Sequence, residues 1–89
     1  MSHHPSHPDI DRRLARAAGH LEGIRRMIAA DKPCCDVLQQ MKAVLAALEK
    51  ARRILAMDHT RHCLRDAISK GKTKAAVEEL EQMLNHLWT

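Results

Sequence analysis

The chain has 89 residues, 45% of them hydrophobic and 29% charged, with a formal net charge of +4, a balance that excludes both a disordered polyelectrolyte and a membrane-embedded protein. Its only aromatic residue is Trp88, with no Phe or Tyr, so a core of Leu, Ile, Val, Met and Ala is too thin for a compact monomer of this size, which predicts oligomerisation. Three cysteines, no secretory signal and no apolar run of about 18 residues exclude a disulfide scaffold and a membrane span, and predict a reducing, cytoplasmic setting with free thiols.

In chain order, residues 1–8, MSHHPSHP, carry three His and two Pro with no apolar face and read as a flexible His-rich arm. A single domain over 9–89 follows. Asp9 is a suitable N-cap for helix 1, about 9–30, where Ile10, Leu14, Ala17, Leu21, Ile24 and Ile28 recur at alternating spacings of four and three before ADKP ends the pattern. Helix 2, about 34–69, has no Gly or Pro until Gly71; Leu38, Met41, Leu45, Leu48 and Leu55 form its stripe, and Val37, Val44, Ala51 and Ile54 broaden it. Such a helix spans about 50 Å, so much of its apolar surface must be covered by another chain. Gly71 is the expected stop and Thr73 the N-cap of a short helix 3, about 73–88, marked by Val77, Leu80, Leu84 and Leu87. No strand pattern occurs, so the fold class is all-α with a three-helix protomer.

His59 and Cys63, in DHTRHC, lie one helical turn apart and share a face, so both can reach one ion. The plain alternative is a packed His beside a small buried Cys. Cys34 and Cys35 add soft donors at the start of the same helix, where the helix N-terminus favours a thiolate. Cys34 and His59 are nevertheless separated by about 38 Å of helix, whereas ligands of a first-row metal sit about 2.0–2.3 Å from it. They can share an ion only if two copies of helix 2 run antiparallel, giving two equivalent sites per dimer.

These residues carry a family resemblance. RLARAAGHLEGIRRMI in helix 1, CCDVLQQMKAVLAALEKARRIL and DHTRHC in helix 2, and AAVEEL in helix 3 resemble the copper-sensing operon repressor (CsoR) family and its nickel- or cobalt-sensing RcnR and formaldehyde-sensing relatives. The resemblance covers residues 12–87. It implies a Cu(I) site shared across a dimer by Cys34, His59 and Cys63, with Glu79 of helix 3 in an outer shell. It also implies an antiparallel dimer with a four-helix-bundle core, paired into a dimer of dimers, and double-stranded operator DNA as partner, with Arg13, Lys50 and Arg53 at positions of bases implicated in the family. Two thiolates and an imidazole suit soft Cu(I). The formaldehyde branch lacks the second cysteine, so Cys63 counts against it.

Two features depart from the copper pattern. Pro33 stands where copper sensors of this kind often carry the Tyr of the outer shell. The arm offers His3 and His4 at about the place from which nickel-sensing relatives draw a fourth ligand, so a square-planar Ni(II) site is the alternative to Cu(I). The neighbouring Cys34 and Cys35 also leave a thiol or persulfide redox sensor open.

Charge agrees with a polyanion partner. Residues 1–74 hold all 15 Lys and Arg against 8 acids, while residues 75–89 contain Glu78, Glu79 and Glu81 and no base. Arg12, Arg13, Arg16, Arg25 and Arg26 line helix 1, and Lys50, Arg52, Arg53, Arg61 and Arg65 line helix 2. A solvated face accounts for such charges one chain at a time; multiplied over an oligomer they form a surface for duplex phosphates, read by Arg and Lys contacts and DNA shape. The sequence therefore predicts a metal-responsive repressor, with Arg13, Arg16, Lys50 and Arg53 on DNA. A metal chaperone or store is the rival, and an enzyme is not expected: a Cys–His pair has no evident Asn or Asp partner and there is no Gly-rich loop.

Overall fold

A computed structural model describes residues 5–88, with side chains through residue 86. Three helices follow in order: α1 (His7–Ala29), α2 (Cys34–Lys70) and α3 (Thr73–Trp88); among the described residues there is no strand. The 37-residue α2 is about 55 Å long at 1.5 Å per residue and sets the long axis of a particle measuring 58 × 25 × 15 Å. Helix α1 folds back antiparallel along its first part, and α3 folds back along its last part.

The hairpin of α1 and α2 is closed by one residue per heptad from each helix. Ile10, Ala17 and Ile24 on α1, and Val37, Val44 and Ala51 on α2, are the buried positions, with Met27 packed against Ile24, Val37 and Val44. Small and β-branched side chains at these seams let the helices approach closely. The leucines expected to lead the α2 stripe do something else. Leu38, Met41, Leu45, Leu48 and Leu55 stay exposed, as do Leu14, Leu21 and Ile28 of α1, with Leu45 at 66% and Ile28 at 63% against 4% for Ile24. The sequence stripe thus divides into an inner seam that holds the protomer and an outer seam that nothing within the protomer covers.

Helix ends follow local chemistry. Helix α1 begins at His7, two residues before the expected start: the Ser6 carbonyl accepts from the Ile10 N–H at 2.9 Å, which places Asp9 inside the first turn rather than at the cap. Pro8 is tolerated there because the N–H it lacks would have no intrahelical partner. The Ser6 hydroxyl, free of capping duty, instead donates to Asp58 of α2 at 2.5 Å, and its N–H donates to the same oxygen at 3.3 Å. Asp9 still suits the helix dipole and accepts from Arg12 and Arg13, each at 2.9 Å; Arg13 first, then Arg12, holds its carboxyl below the usual carboxylate range. Thr73 is the first helical residue of α3 rather than its cap, since the Lys72 carbonyl accepts from Ala76 at 3.3 Å.

Both turns use the same stop. The Lys32 N–H donates to Met27 and the Asp31 N–H to Ile28, each at 3.0 Å, with Asp31 at φ 56°; Lys72 donates to Ala67 at 3.0 Å around Gly71 at φ 69°. These are Schellman closures, which need a left-handed residue. At the second, glycine carries no Cβ penalty; at the first, Asp31 bears it. Replacing Asp31 by Gly is expected to stabilise the fold by about 0.5–1 kcal/mol, and Gly71→Ala to cost about 1 kcal/mol. Urea midpoints at unchanged slope measure both.

Candidate metal centre

The end of α2 beyond α1 carries the site. His59 and Cys63 are four residues apart on a continuous helix, half-buried on the face that α3 covers. Near the turn, the small buried residues Ala67 and Ala76 allow α3 to lie close, and this brings Glu79 over both donors. His59 Nε2 lies 2.9 Å from Glu79 Oε1, and the Cys63 thiol donates to Glu79 Oε2 at 3.4 Å. The three donor atoms all lie within 4.8 Å of one another. Partial burial first, then the Glu79 carboxylate that accepts its proton, pushes the Cys63 thiol above its ordinary pKa. Cys63 is therefore a protonated thiol at neutral pH, and an ion that binds there must displace the proton, so affinity rises with pH.

The predicted residues divide into two places. His59, Cys63 and Glu79 meet; His62, one residue off the shared face, is exposed. Cys34 does not join them. It sits exposed in the first turn of α2, beside Ile28, Asp31, Lys32, Val37 and Leu38, and 29 residues of helix, about 44 Å, separate it from Cys63. All three thiols are free. His3 and His4 lie outside the described residues. The donor set fits a soft or borderline ion: thiol and imidazole within one turn, and an open approach, since the His59 and Glu79 side chains are 33% and 54% exposed.

The basic residues line two shallow grooves. Arg13 and Arg16 of α1 face Ala47 of α2 beside Ala17 and His20. Arg53 and Arg61 flank Pro5, Ser6 and Asp58 in the second, and Lys50 is exposed between them in sequence. Arg13 is paired with Asp9 and Arg53 with Glu49, the latter at 3.5 Å; solvent weakens surface pairs of this kind. The tie between Ser6 and Asp58 went unforeseen: it links positions 52 apart, and neither residue belongs to a pattern that marks it.

Comparison with other proteins supplies the family. A model of the family described as metal-sensitive transcriptional repressors matches residues 6–86. The chain is 43% identical over 68 residues to the copper-sensing transcriptional repressor CsoR of Mycobacterium ulcerans (strain Agy99), an alignment covering 76% of this chain and 58% of that protein. It is 41% identical over 71 residues to the copper-sensing transcriptional repressor CsoR of Bacillus subtilis (strain 168), covering 80% of this chain and 70% of that one. Among solved structures, the nickel-responsive transcriptional regulator InrS superposes with a TM-score of 0.87 at 30% identity over 98% of both chains. The Cu(I)-bound copper-sensing repressor CsoR of Geobacillus thermodenitrificans NG80-2 does so with a TM-score of 0.86 at 27% identity, over 100% of this chain and 94% of that one. The chain spans less than two thirds of the length of the mycobacterial relative, but the family model spans nearly all of this chain, which therefore belongs to the metal-sensitive transcriptional repressor family.

Proposed function

We propose that this protein is a transcriptional repressor whose apo form binds operator DNA and which leaves the DNA when Cu(I) binds between subunits, at Cys34 of one protomer and His59 and Cys63 of another. One observation carries this reading: a single rigid helix holds Cys34 at one end and the His59–Cys63 pair at the other, with an uncovered apolar seam between them. An antiparallel copy of α2 covers that seam and brings the missing thiol to the pair at both ends. Two soft thiolates with one imidazole suit Cu(I), and the curated relatives described above are copper sensors by name. Arg13, Arg16, Lys50 and Arg53, repeated over a homodimer or tetramer, supply the phosphate contacts. Response to metal is then linkage: the apo and metal-bound arrangements differ in DNA affinity by the coupling free energy, typically about 1–3 kcal/mol. Glu79 is the group of α3 that registers the change, because both of its oxygens are engaged by the two α2 donors.

A nickel reading rests on separate support. The likeness to a nickel-responsive regulator is as full as that to the copper sensor, and the Ser6–Asp58 tie fastens the chain two residues after His4 to the residue preceding His59. His3 or His4 as a fourth donor completes a square-planar set for Ni(II). Anaerobic titration separates the two. With copper as the effector, Cu(I) gives ultraviolet thiolate absorption, outcompetes nickel and releases the promoter fragment that the apo protein shifts. With nickel as the effector, ligand-field bands appear in the visible, disappear in a His3→Ala/His4→Ala protein, and nickel alone releases the DNA. Membership of a family of repressors places the protein among regulators rather than enzymes.

A further inference from the structure

The groove between the first halves of α1 and α2 is lined by bases and by no carboxylate: Arg13, Arg16 and His20 of α1 surround it, beside Ala17 and Ala47. The three bases share a face because they fall three and four residues apart, and they follow α1 for about 10 Å. Arg13 is held by Asp9, whereas Arg16 has no acidic partner among the described residues. We infer that His20 is a further contact to the DNA backbone, one that joins Arg13 and Arg16 as an imidazolium, so that DNA binding takes up protons. The inference rests on the repressor reading and adds to it a residue and a proton dependence.

A neutral partner places the ring. The His20 Nε2–H donates to the side-chain amide oxygen of Gln40 in α2 at 2.7 Å, a bond that an imidazole can make in its neutral and in its protonated form. Gln40 thus orients the ring across the hairpin without fixing its charge, and leaves Nδ1 to take the proton. Ala17 and Ala47 contribute only methyl groups, which keeps the groove open to a phosphate oxygen.

The surroundings set the sign of the effect. The charged groups that line the groove with His20 are both arginines of α1; α2 faces it with Gln40 and Ala47, which are neutral, and α3 packs on α2 alone, at the other end. Between pH 8 and pH 6 an imidazole gains a positive charge, and a phosphodiester lying among three cations favours that charge. Its oxygen accepts from Nδ1–H as it accepts from a guanidinium, and such a charge-assisted bond is about twice as strong as a neutral one. The proton comes from solvent and stays on Nδ1 while DNA is bound. Each phosphate neutralised in this way also releases condensed counterions, so the contact has a signature in salt as well as in pH.

The test is fluorescence anisotropy of the full-length apo protein on a labelled promoter duplex, at pH 6 and pH 8 over a range of KCl concentrations, with wild type set against His20→Gln and His20→Arg. Gln is a good helix former that keeps a donor for Gln40, and an unchanged Cu(I) affinity verifies the fold of both variants. The other histidines titrate in all three proteins, so a difference between them reports His20. From pH 8 to pH 6 wild type is expected to gain at least about threefold more affinity than His20→Gln, and its slope of log affinity against log salt to steepen by about 0.9 for each His20 that meets a phosphate. His20→Arg holds the steeper slope at both pH values. The same pH dependence and the same slopes in wild type and His20→Gln overturn the inference and leave the repressor reading standing; no binding of the duplex by any of the three proteins at either pH overturns both.

Discussion

Mixing Cys34→Ser protein with Cys63→Ala protein, each unable alone to form a two-thiolate copper site, is expected to restore about a quarter of wild-type capacity. The arithmetic follows from two-fold symmetry. After subunit exchange about half of the dimers contain one chain of each kind. In such a dimer the site built from the substituted Cys34 and the substituted Cys63 lacks both sulfurs, whereas the other has Cys34 from one chain and His59 and Cys63 from its neighbour, all intact. One good site of two, in half the dimers, is about a quarter of the total. A site contained within one protomer gives no such rescue, because every chain then carries its own defect. The measurement is anaerobic Cu(I) binding against a competing chelator, before and after exchange. Zero recovery in samples shown to have exchanged excludes the intersubunit site, and the distance along α2 makes any intrachain site with Cys34 unattainable in a continuous helix.

The long helix was also the most legible part of the molecule. Apolar spacing without Gly or Pro from Cys34 to Lys70 leaves no competing local structure, and the ends follow from Pro33 and Gly71. Which side of the stripe faces inward was not legible. Val44 and Leu45 are adjacent and equally apolar, yet one is buried and the other exposed, because the choice depends on how closely α1 approaches rather than on hydrophobicity. Asp9 is an attractive cap, yet α1 starts two residues earlier, where the Ser6 carbonyl accepts from Ile10 and the Ser6 hydroxyl is engaged across the hairpin by Asp58. In the candidate site, His59 and Cys63 followed from helical period. Glu79 came only with the family resemblance: it belongs to another helix, and nothing in the spacing of VEEL singles it out from Glu78 or Glu81.

Leu48→Glu tests the outer seam directly, and the single protomer and the dimer predict opposite outcomes. In the protomer Leu48 is 40% exposed, Glu is as good a helix former as Leu, and a substitution at such a place ordinarily shifts stability by no more than about 0.5 kcal/mol. The antiparallel pairing that sets Cys34 beside the His59–Cys63 turn puts the two-fold axis near the midpoint between those positions, close to Leu48. The two introduced carboxylates then face each other in an apolar seam. Each chain loses about 1.5–3 kcal/mol of leucine burial, and an unpaired buried charge adds several more, so the dimer weakens by about 6 kcal/mol or more. That is over ten-thousandfold in Kd. Sedimentation is expected to show loss of the wild-type oligomer, accompanied by a lower Tm, loss of two-thiolate Cu(I) binding and loss of the promoter shift, all from one residue that touches neither metal nor DNA. A variant that keeps its oligomeric state and its copper response places Leu48 in water, and with it the seam on which the intersubunit site depends.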